Sequence, residues 1–290
     1  MDASAADSYG ESPVLAPRFS VVVPAFNEEA VLGECLDSLA AQAYAGSVEV
    51  VVVDNASTDG TAALALRHGV RVVHEPQPGI CFARQRGLAS ATGEIVVTTD
   101  ADTTVAVDWL QRIDDHFRAR PDAVGVAGPC RYVGGPWWSR AWTRLLFSLV
   151  AAVAAVTGRV VYVTATNLAF SRAAFGGYDT RLTQGGDELD VLRRLRRQGA
   201  VVFARRNPTF TSPRRLAGGL VYSLVVSLCF HYLLGYVVNR VARRPVIGTA
   251  PAFRQLEPDH ARPGAVDQDR RAGRLRLDDT AARRLDRQSV

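Results

Sequence analysis

Asp100 and Asp102 stand one residue apart in the stretch EIVVTTDAD, directly after the apolar run Ile95, Val96, Val97. A β-branched run of that kind makes a buried strand. Alternate side chains of an extended or tightly turning segment fall on one side. The two carboxylates therefore converge just past the strand's carboxyl end, where open α/β sheets hold their ligands. Two carboxylates about 4 Å apart repel by roughly 4 kcal/mol at an effective dielectric near 20. A hard divalent cation removes that repulsion, and Mg2+ or Mn2+ shared between one or two carboxylates and a diphosphate is a common arrangement. Taken alone, the same pair reads equally well as helix-capping aspartates in a solvated turn.

The elements that must position this pair follow a strand-helix alternation. Phe19 to Val23 reads as a strand stopped by Pro24. A helix is predicted after it, with Asn27 as cap, Glu28 and Glu29 in the first turn, and an apolar stripe through Val31, Leu32, Cys35 and Leu39. Val48 to Val53 is a second apolar strand with Asp54 at its carboxyl end, and Ser57, Thr58 or Asp59 is placed to cap the next helix. Arg71 to His74 is a third strand, and PQPGICFARQRGLASATG a glycine-entered helix carrying Arg84 and Arg86 that leads into the Ile95 strand. Apolar strands alternating with helices predict a parallel sheet covered on both faces.

Beyond Asp102 the pattern changes. VDWLQRIDDHF is an amphipathic helix that ends before Pro121, and AVGVAGPCRYVGG a strand with breakers. The aromatic and apolar segment Trp137 to Thr157 has an uncharged core of only about 13 residues after Arg144, too short to span a bilayer, so a core or interfacial helix is expected. TATNLAFSRAAFGGYD reads as strand and turn, GGDELDVLRRLRRQG as a helix, and AVVFARRNPTF as a last strand.

The chain of 290 residues suits one domain of about 200 residues with appendages. Net charge is +5 and every basic residue is arginine, a pattern that fits codon usage in a GC-rich genome. No zinc-finger spacing, recognition-helix pattern or aromatic RNA-binding motif accompanies it, so no nucleic acid partner is expected. Cys35, Cys81, Cys130 and Cys229 are scattered without a C-x-x-C pair, as free thiols in a reducing compartment would be. Residues 1 to 17 are expected to be disordered and lack the basic and apolar regions of a signal peptide, which places the catalytic part in the cytoplasm. Leu216 to Val238 carries no formal charge and is bracketed by Arg214, Arg215, Arg240, Arg243 and Arg244. That segment is predicted to associate with a membrane, spanning it or lying on it, on the cytoplasmic face; arginine at both ends gives it no orientation. The tail mixes arginine and aspartate and reads as solvated.

VVVPAFNEE, VVVDNASTDGT, GICFARQRGLASATGEIVVTTDAD, TNLAFSRAAFGGYD and GGDELD, in that order, resemble the family 2 glycosyltransferases over about Phe19 to Phe210. The resemblance implies a GT-A fold with a Rossmann-like, mostly parallel nucleotide-binding half, here followed by an apolar helix. It divides the chain into a terminus (1–17), a transferase domain (18–213), a membrane-associated helix (214–245) and a flexible tail (246–290). It also implies transfer of a sugar from a nucleotide-activated donor to a glycan or lipid-linked hydroxyl acceptor, with Mg2+ or Mn2+ and with inversion. By the resemblance, Pro24, Ala25, Phe26 and Glu28 line the nucleotide site, with Phe26 stacking on the base. Asp54 accepts from a base N–H, Arg84 or Arg86 meets the diphosphate, and Asp100 and Asp102 hold the metal. Asp187 and Glu188 occupy the place of the family's acidic pair in reversed order, which leaves open which of them is the base, although position assigns it to Glu188. The arginine-tryptophan motif of processive synthases is missing near Phe210, so a single addition is expected.

Three other readings stand beside this one. A polyprenyl-phosphate acceptor needs no base. A sugar nucleotidyltransferase wants a glycine-rich basic loop after the first strand, and PAFNEE is neither. A non-catalytic sugar-nucleotide binder would have broken acidic pairs, and here they are intact.

Overall fold

The structure is a computed structural model, and it describes residues 16–182, 186–216, Gly219, 234–242 and Val246. Strands β1 (Phe19–Ala25), β2 (Val48–Asp54), β3 (Arg71–His74) and β4 (Ile95–Thr98) are parallel, as the apolar runs predict. The later strands β6 (Ala123–Ala127), β8 (Leu168–Ser171) and β9 (Ala200–Phe203) complete a seven-stranded sheet in the order β3-β2-β1-β4-β8-β6-β9. Only β8 runs against its neighbours. The chain moves outward from β1 to β3 and then returns to β4 on the other side of β1, so the sheet's switch point lies between β1 and β4. Three short strands, β5 (Thr103–Val105), β7 (Cys130–Tyr132) and β10 (Thr209–Thr211), form a second sheet, β5-β10-β7.

Helices cover both faces. On one side α1 (Leu32–Ala40), α2 (Thr61–Arg67) and α4 (Trp109–Ala119) bury Leu32, Leu36, Ala65, Trp109 and Ile113 against Val21, Val23, Val52 and Val97. On the other, α3 (Ile80–Ser90), α5 (Trp137–Thr157) and α6 (Gly186–Gln198) bury Ala83, Leu88, Val150, Leu192 and Leu195 against Val22, Val53, Val96 and Phe170. Gly87 lets α3 sit directly on β1, because a Cβ there would lie 2.2 Å from the Val22 side chain. Pro24 is tolerated in a central strand because β4 pairs with β1 only as far as Val22.

The structure corrects two local expectations. Helix α1 starts at Leu32, five residues after Asn27. Asn27 instead takes a left-handed conformation, φ 53°, and its Oδ1 accepts from the backbone N–H of Thr58, 2.8 Å. Its side chain fastens two loops together and caps no helix. The second correction concerns only the core alternative for Trp137 to Thr157: the segment is a continuous 21-residue helix with 17 % of its most apolar window buried, which does not suit a core helix and does not touch the interfacial alternative. By length and composition alone it can cross a membrane, since its apolar stretch extends past Arg140 and Arg144. Residues 1–15, most of Leu216 to Val238 and most of the tail after Ala242 lie outside the described residues, apart from Leu216, Gly219, a short helix Gly235–Ala242 and Val246.

Glu49 on β2 ties three segments. Its Oε1 accepts from the backbone N–H of Thr92 at 2.5 Å, from Thr92 Oγ1 at 2.7 Å, from the N–H of Gly93 at 3.3 Å, and from Ser20 Oγ. Burial alone would raise this carboxyl's pKa, but the donated bonds outweigh it and hold the pKa below the ordinary value. A depressed folded-state pKa contributes stability above the unfolded pKa and loses it as pH falls through the folded one. Glu49→Gln is expected to cost roughly 1–3 kcal/mol at neutral pH. In denaturant titrations the gap from wild type should close toward about pH 3; a gap that persists there would assign the loss to packing.

Candidate functional site

The crevice begins where β1 and β2 end. Ala25 and Asp54 are register partners, so Phe26 and the Asp54 carboxylate leave neighbouring strand ends. Phe26 is 42 % exposed, a ring displayed at the carboxyl end of the sheet, whereas Pro24 and Ala25 are buried beneath it. Asp54 accepts from the backbone N–H of Ser57 at 3.2 Å and lies 3.2 Å from His74 Nδ1. The loops after β1 and β2 are laced by Asn27 N–H to Ser57 Oγ, 3.0 Å, and Glu28 N–H to Thr61 Oγ1, 2.8 Å. This lacing holds Glu28 in place, and the residue is 5 % exposed.

Asp100 and Asp102 follow β4 in a turn closed by Thr103 N–H to the Asp100 carbonyl, 3.1 Å. The residue between them, Ala101, is buried, while their own side chains are 13 % and 15 % exposed. Asp102 Oδ1 accepts from Thr211 Oγ1 of β10 at 3.1 Å, and Oδ2 lies 2.7 Å from Arg214 Nη2. The same guanidinium holds Glu28 Oε2 at 3.1 Å and 3.2 Å. Arg214 thus clamps the loop after β1 to the aspartate pair. Sequence reasoning had read Arg214 only as the flank of an apolar segment; nothing local signals a contact across 112 and 186 residues.

Arg84 is the second cation and is 2 % exposed. Its Nη1 donates to Asp187 Oδ2, and its Nη2 lies 3.4 Å from Asp100 Oδ1. Burial opposes its charge, but Asp187, Asp100 and Glu188 outweigh burial and raise its pKa well above the ordinary guanidinium value. Against the expectation that Arg84 meets a donor diphosphate, the guanidinium is enclosed and engaged by two carboxylates. Arg86 is exposed on α3, about 200° around the helix from Arg84, and is not brought to the site.

Asp187 and Glu188 open α6 and point apart, as adjacent helical residues must. Asp187 is 1 % exposed and is enclosed with Arg84. Glu188 is half-buried, and its Oε1 accepts from the backbone N–H of Ala165 at 2.9 Å. The Ala165 carbonyl in turn accepts from Thr98 Oγ1 at the end of β4, 2.7 Å. Gly185 lies outside the described residues. Through Arg84 and through Ala165 the acidic start of α6 is joined to the aspartate turn.

Around this crevice the carboxylates Glu28, Asp100, Asp102, Asp187 and Glu188 meet the guanidiniums of Arg84 and Arg214. This all-oxygen donor set fits Mg2+ or Mn2+. No group of three or more His, Cys, Asp or Glu that could hold a metal ion is found among the described residues. Asp100 and Asp102 therefore suit an ion that takes most of its shell from phosphate and water, rather than an all-protein cage. Burial, then Asp102 and Asp100, push the Cys35 thiol pKa far up.

The comparisons with known proteins agree with this geometry. The family model described as Glycosyl transferase family 2 matches residues 20–178. An uncharacterized glycosyltransferase of Mycobacterium tuberculosis is 38% identical over 125 residues, 43% of this chain and 55% of that protein. An N-acetylglucosaminyltransferase of Bradyrhizobium diazoefficiens is 33% identical over 122 residues, 38% of this chain and 24% of that one. The chain thus spans about half or less of the length of these curated relatives. Among solved structures, the mannosyltransferase PcManGT from Pyrobaculum calidifontis, in complex with GDP-Man and Mn2+, has a TM-score of 0.60 at 26% identity, covering 83% of this chain and 68% of that chain. Glucosyl-3-phosphoglycerate synthase from M. tuberculosis, in complex with Mn2+, UDP-Glc and phosphoglyceric acid, has a TM-score of 0.55 at 25% identity, covering 78% and 79%. With the family model matching more than half of its length, the chain belongs to glycosyl transferase family 2.

Proposed function

We propose that this member of glycosyl transferase family 2 transfers a hexosyl group from a nucleotide diphosphate sugar to a hydroxyl acceptor, with inversion, one sugar per acceptor, and with Mg2+ or Mn2+. The observation that carries the reading is the joining of the aspartate turn to the acidic start of α6, Asp100 to Asp187 through the buried Arg84, with Glu188 next to Asp187. Two structural neighbours were solved with a nucleotide sugar and Mn2+, which supports the donor class and the metal. In this reading Phe26 stacks on the base and Asp54 accepts from it. Asp100 and Asp102 hold the metal, which when bound neutralises the diphosphate and the charge that develops on the leaving nucleotide. Glu188 takes the proton from the acceptor hydroxyl as its oxygen attacks the anomeric carbon opposite the diphosphate. The acceptor is a glycan or a lipid-linked glycan, met on the cytoplasmic face of a membrane with which Leu216 to Val238 associates.

The test is donor hydrolysis and transfer across a panel of nucleotide sugars, with Mn2+ and with chelator. Metal-dependent release of the nucleoside diphosphate from one donor is expected. Release of pyrophosphate from a nucleoside triphosphate and a sugar phosphate would mean a nucleotidyltransferase. Nucleotide binding without any turnover would mean a binder.

Arg214 makes a separate prediction. Its guanidinium occupies an oxygen of Asp102 that the metal needs, and the pair is partly exposed. Exposed pairs contribute about 0.2–1 kcal/mol, so Arg214→Gln should tighten Mn2+ binding in the absence of nucleotide by roughly 1.4- to fivefold. Electron paramagnetic resonance of unbound Mn2+ reads this directly. Unchanged affinity would separate Arg214 from the metal carboxylate.

A further inference from the structure

Helix α5 is fastened to the domain along one stripe, Ser139, Thr143, Phe147 and Val150. Phe147 stacks on Phe203 of β9 with ring centroids 6.3 Å apart and meets Tyr162 at 6.0 Å. The opposite face ought to be polar in a helix so placed. It carries Leu145, 67 % exposed, Leu149, 61 %, and Val156, 86 %, after Trp137 at the helix start. An outward apolar face of this length marks an interaction surface.

The charge around it selects the partner. From Ala123 to Tyr178 the sequence holds no acidic residue but five arginines, Arg131, Arg140, Arg144, Arg159 and Arg172. Arg140 and Arg144 flank the first turns of α5, and Arg159 follows its end. The exposed face continues through Val161 into a cavity of about 670 Å³ between the end of α5 and α6, whose rim is Arg159, Arg193, Arg196 and Arg197 over the apolar floor of Val160 and Leu192. None of these residues belongs to the acidic site. A protein partner would need only shape and apolar area. Tryptophans and arginines bracketing an apolar stripe, with a basic pocket at its end, match an interface of acyl chains below anionic phosphates. Because its inner stripe is packed on β9, α5 is placed to lie along such an interface and not to cross it.

We propose that the outward face of α5 rests in the surface of an anionic phospholipid bilayer, with headgroup phosphates received by the arginine cleft between α5 and α6. The inference stands independently of the sugar-transfer reading and of the segment Leu216 to Val238. The test is vesicle flotation of the full chain with phosphatidylcholine alone and with added phosphatidylglycerol, a readout that uses no activity. Wild type should float with the anionic vesicles and be released by salt. Leu145→Asp combined with Leu149→Asp and Val156→Asp should lower the partition at least about tenfold. The milder Leu145→Ser with Leu149→Ser should lower it less, at unchanged circular dichroism. Arg159→Gln with Arg196→Gln and Arg197→Gln should abolish the preference for phosphatidylglycerol. The proposal is overturned if the serine variant and the aspartate variant both partition like wild type, which would leave Leu216 to Val238 as the anchor. It is equally overturned if wild type shows no preference for anionic lipid. A fall from dimer to monomer in the aspartate variant without vesicles would assign the face to a second copy of the chain and also overturn it.

Discussion

Asp102→Ala is expected to remove sugar transfer, by at least about 10³-fold, and to take with it the part of nucleotide affinity that depends on Mn2+. The side chain is partly exposed and bonded only to Thr211 and Arg214, and Arg214 keeps Glu28 as a second partner. Its loss therefore leaves no buried charge unpaired, and the thermal unfolding midpoint should stay near that of wild type. Chelation should reproduce the loss and added Mn2+ reverse it. Asp100→Ala makes a useful contrast. Asp100 is one of the two carboxylates facing the fully buried Arg84, so that variant should lose stability as well as rate, whereas Asp102→Ala loses rate alone. Full transfer by Asp102→Ala, or by wild type in excess chelator, would sink the metal assignment.

The second large effect concerns the acidic start of α6, where two neighbouring carboxylates should fail in different ways. Glu188 is half-buried beside the end of β4, and a positioned carboxylate contributes typically about 10²–10⁴-fold to proton transfer. Glu188→Gln keeps the shape and should lower the rate at least about a hundredfold with little change in nucleotide affinity. Asp187 is enclosed against Arg84. Asp187→Asn removes the negative partner of a buried cation, a loss of roughly 3–5 kcal/mol, and should appear first as a lowered unfolding midpoint. Measuring rate and midpoint on both variants separates the two roles. A larger rate loss in Asp187→Asn than in Glu188→Gln, at equal stability, would reverse them. If Glu188→Gln transfers at the wild-type rate, the acceptor is already anionic, as a lipid phosphate is, and needs no base.

Much of this arrangement was legible in the chain before any coordinates. The uninterrupted valines of β1 and β2 and the run before Asp100 announce buried parallel strands, and the aspartates close them at the end where ligands sit. GGDELDVLRRLRRQG reads as a helix and forms one, so Asp187 and Glu188 point apart by a fixed angle. Other features have no local signal. TATNLAFSRAAFGGYD reads as a strand, but nothing in it tells that β8 runs antiparallel, and the second sheet pairs strands of three residues, too short to show which sheet they join. Arg84 and Arg86 look alike in sequence, and Arg84 turns inward because it shares a face with the buried Cys81, Ala83, Gly87 and Leu88 of α3. Arg214 gains its partners from loops far away in the chain, and α5 hides its exposure because a helix rich in leucine and valine reads as core. In each case the deciding contact is long-range, so propensity and spacing carry no information about it.

The guanidinium of Arg84 has a consequence for how the protein is assembled. It sits between a carboxylate at residue 100 and another at residue 187, and neither alone satisfies it. A chain folded only as far as β4 would hold a buried cation with one of its two partners, a costly state. Strands β1 to β4 are therefore expected to fold together with α6 in a single transition. A fragment ending before α6 should be a poorly folded chain and not a smaller nucleotide-binding domain.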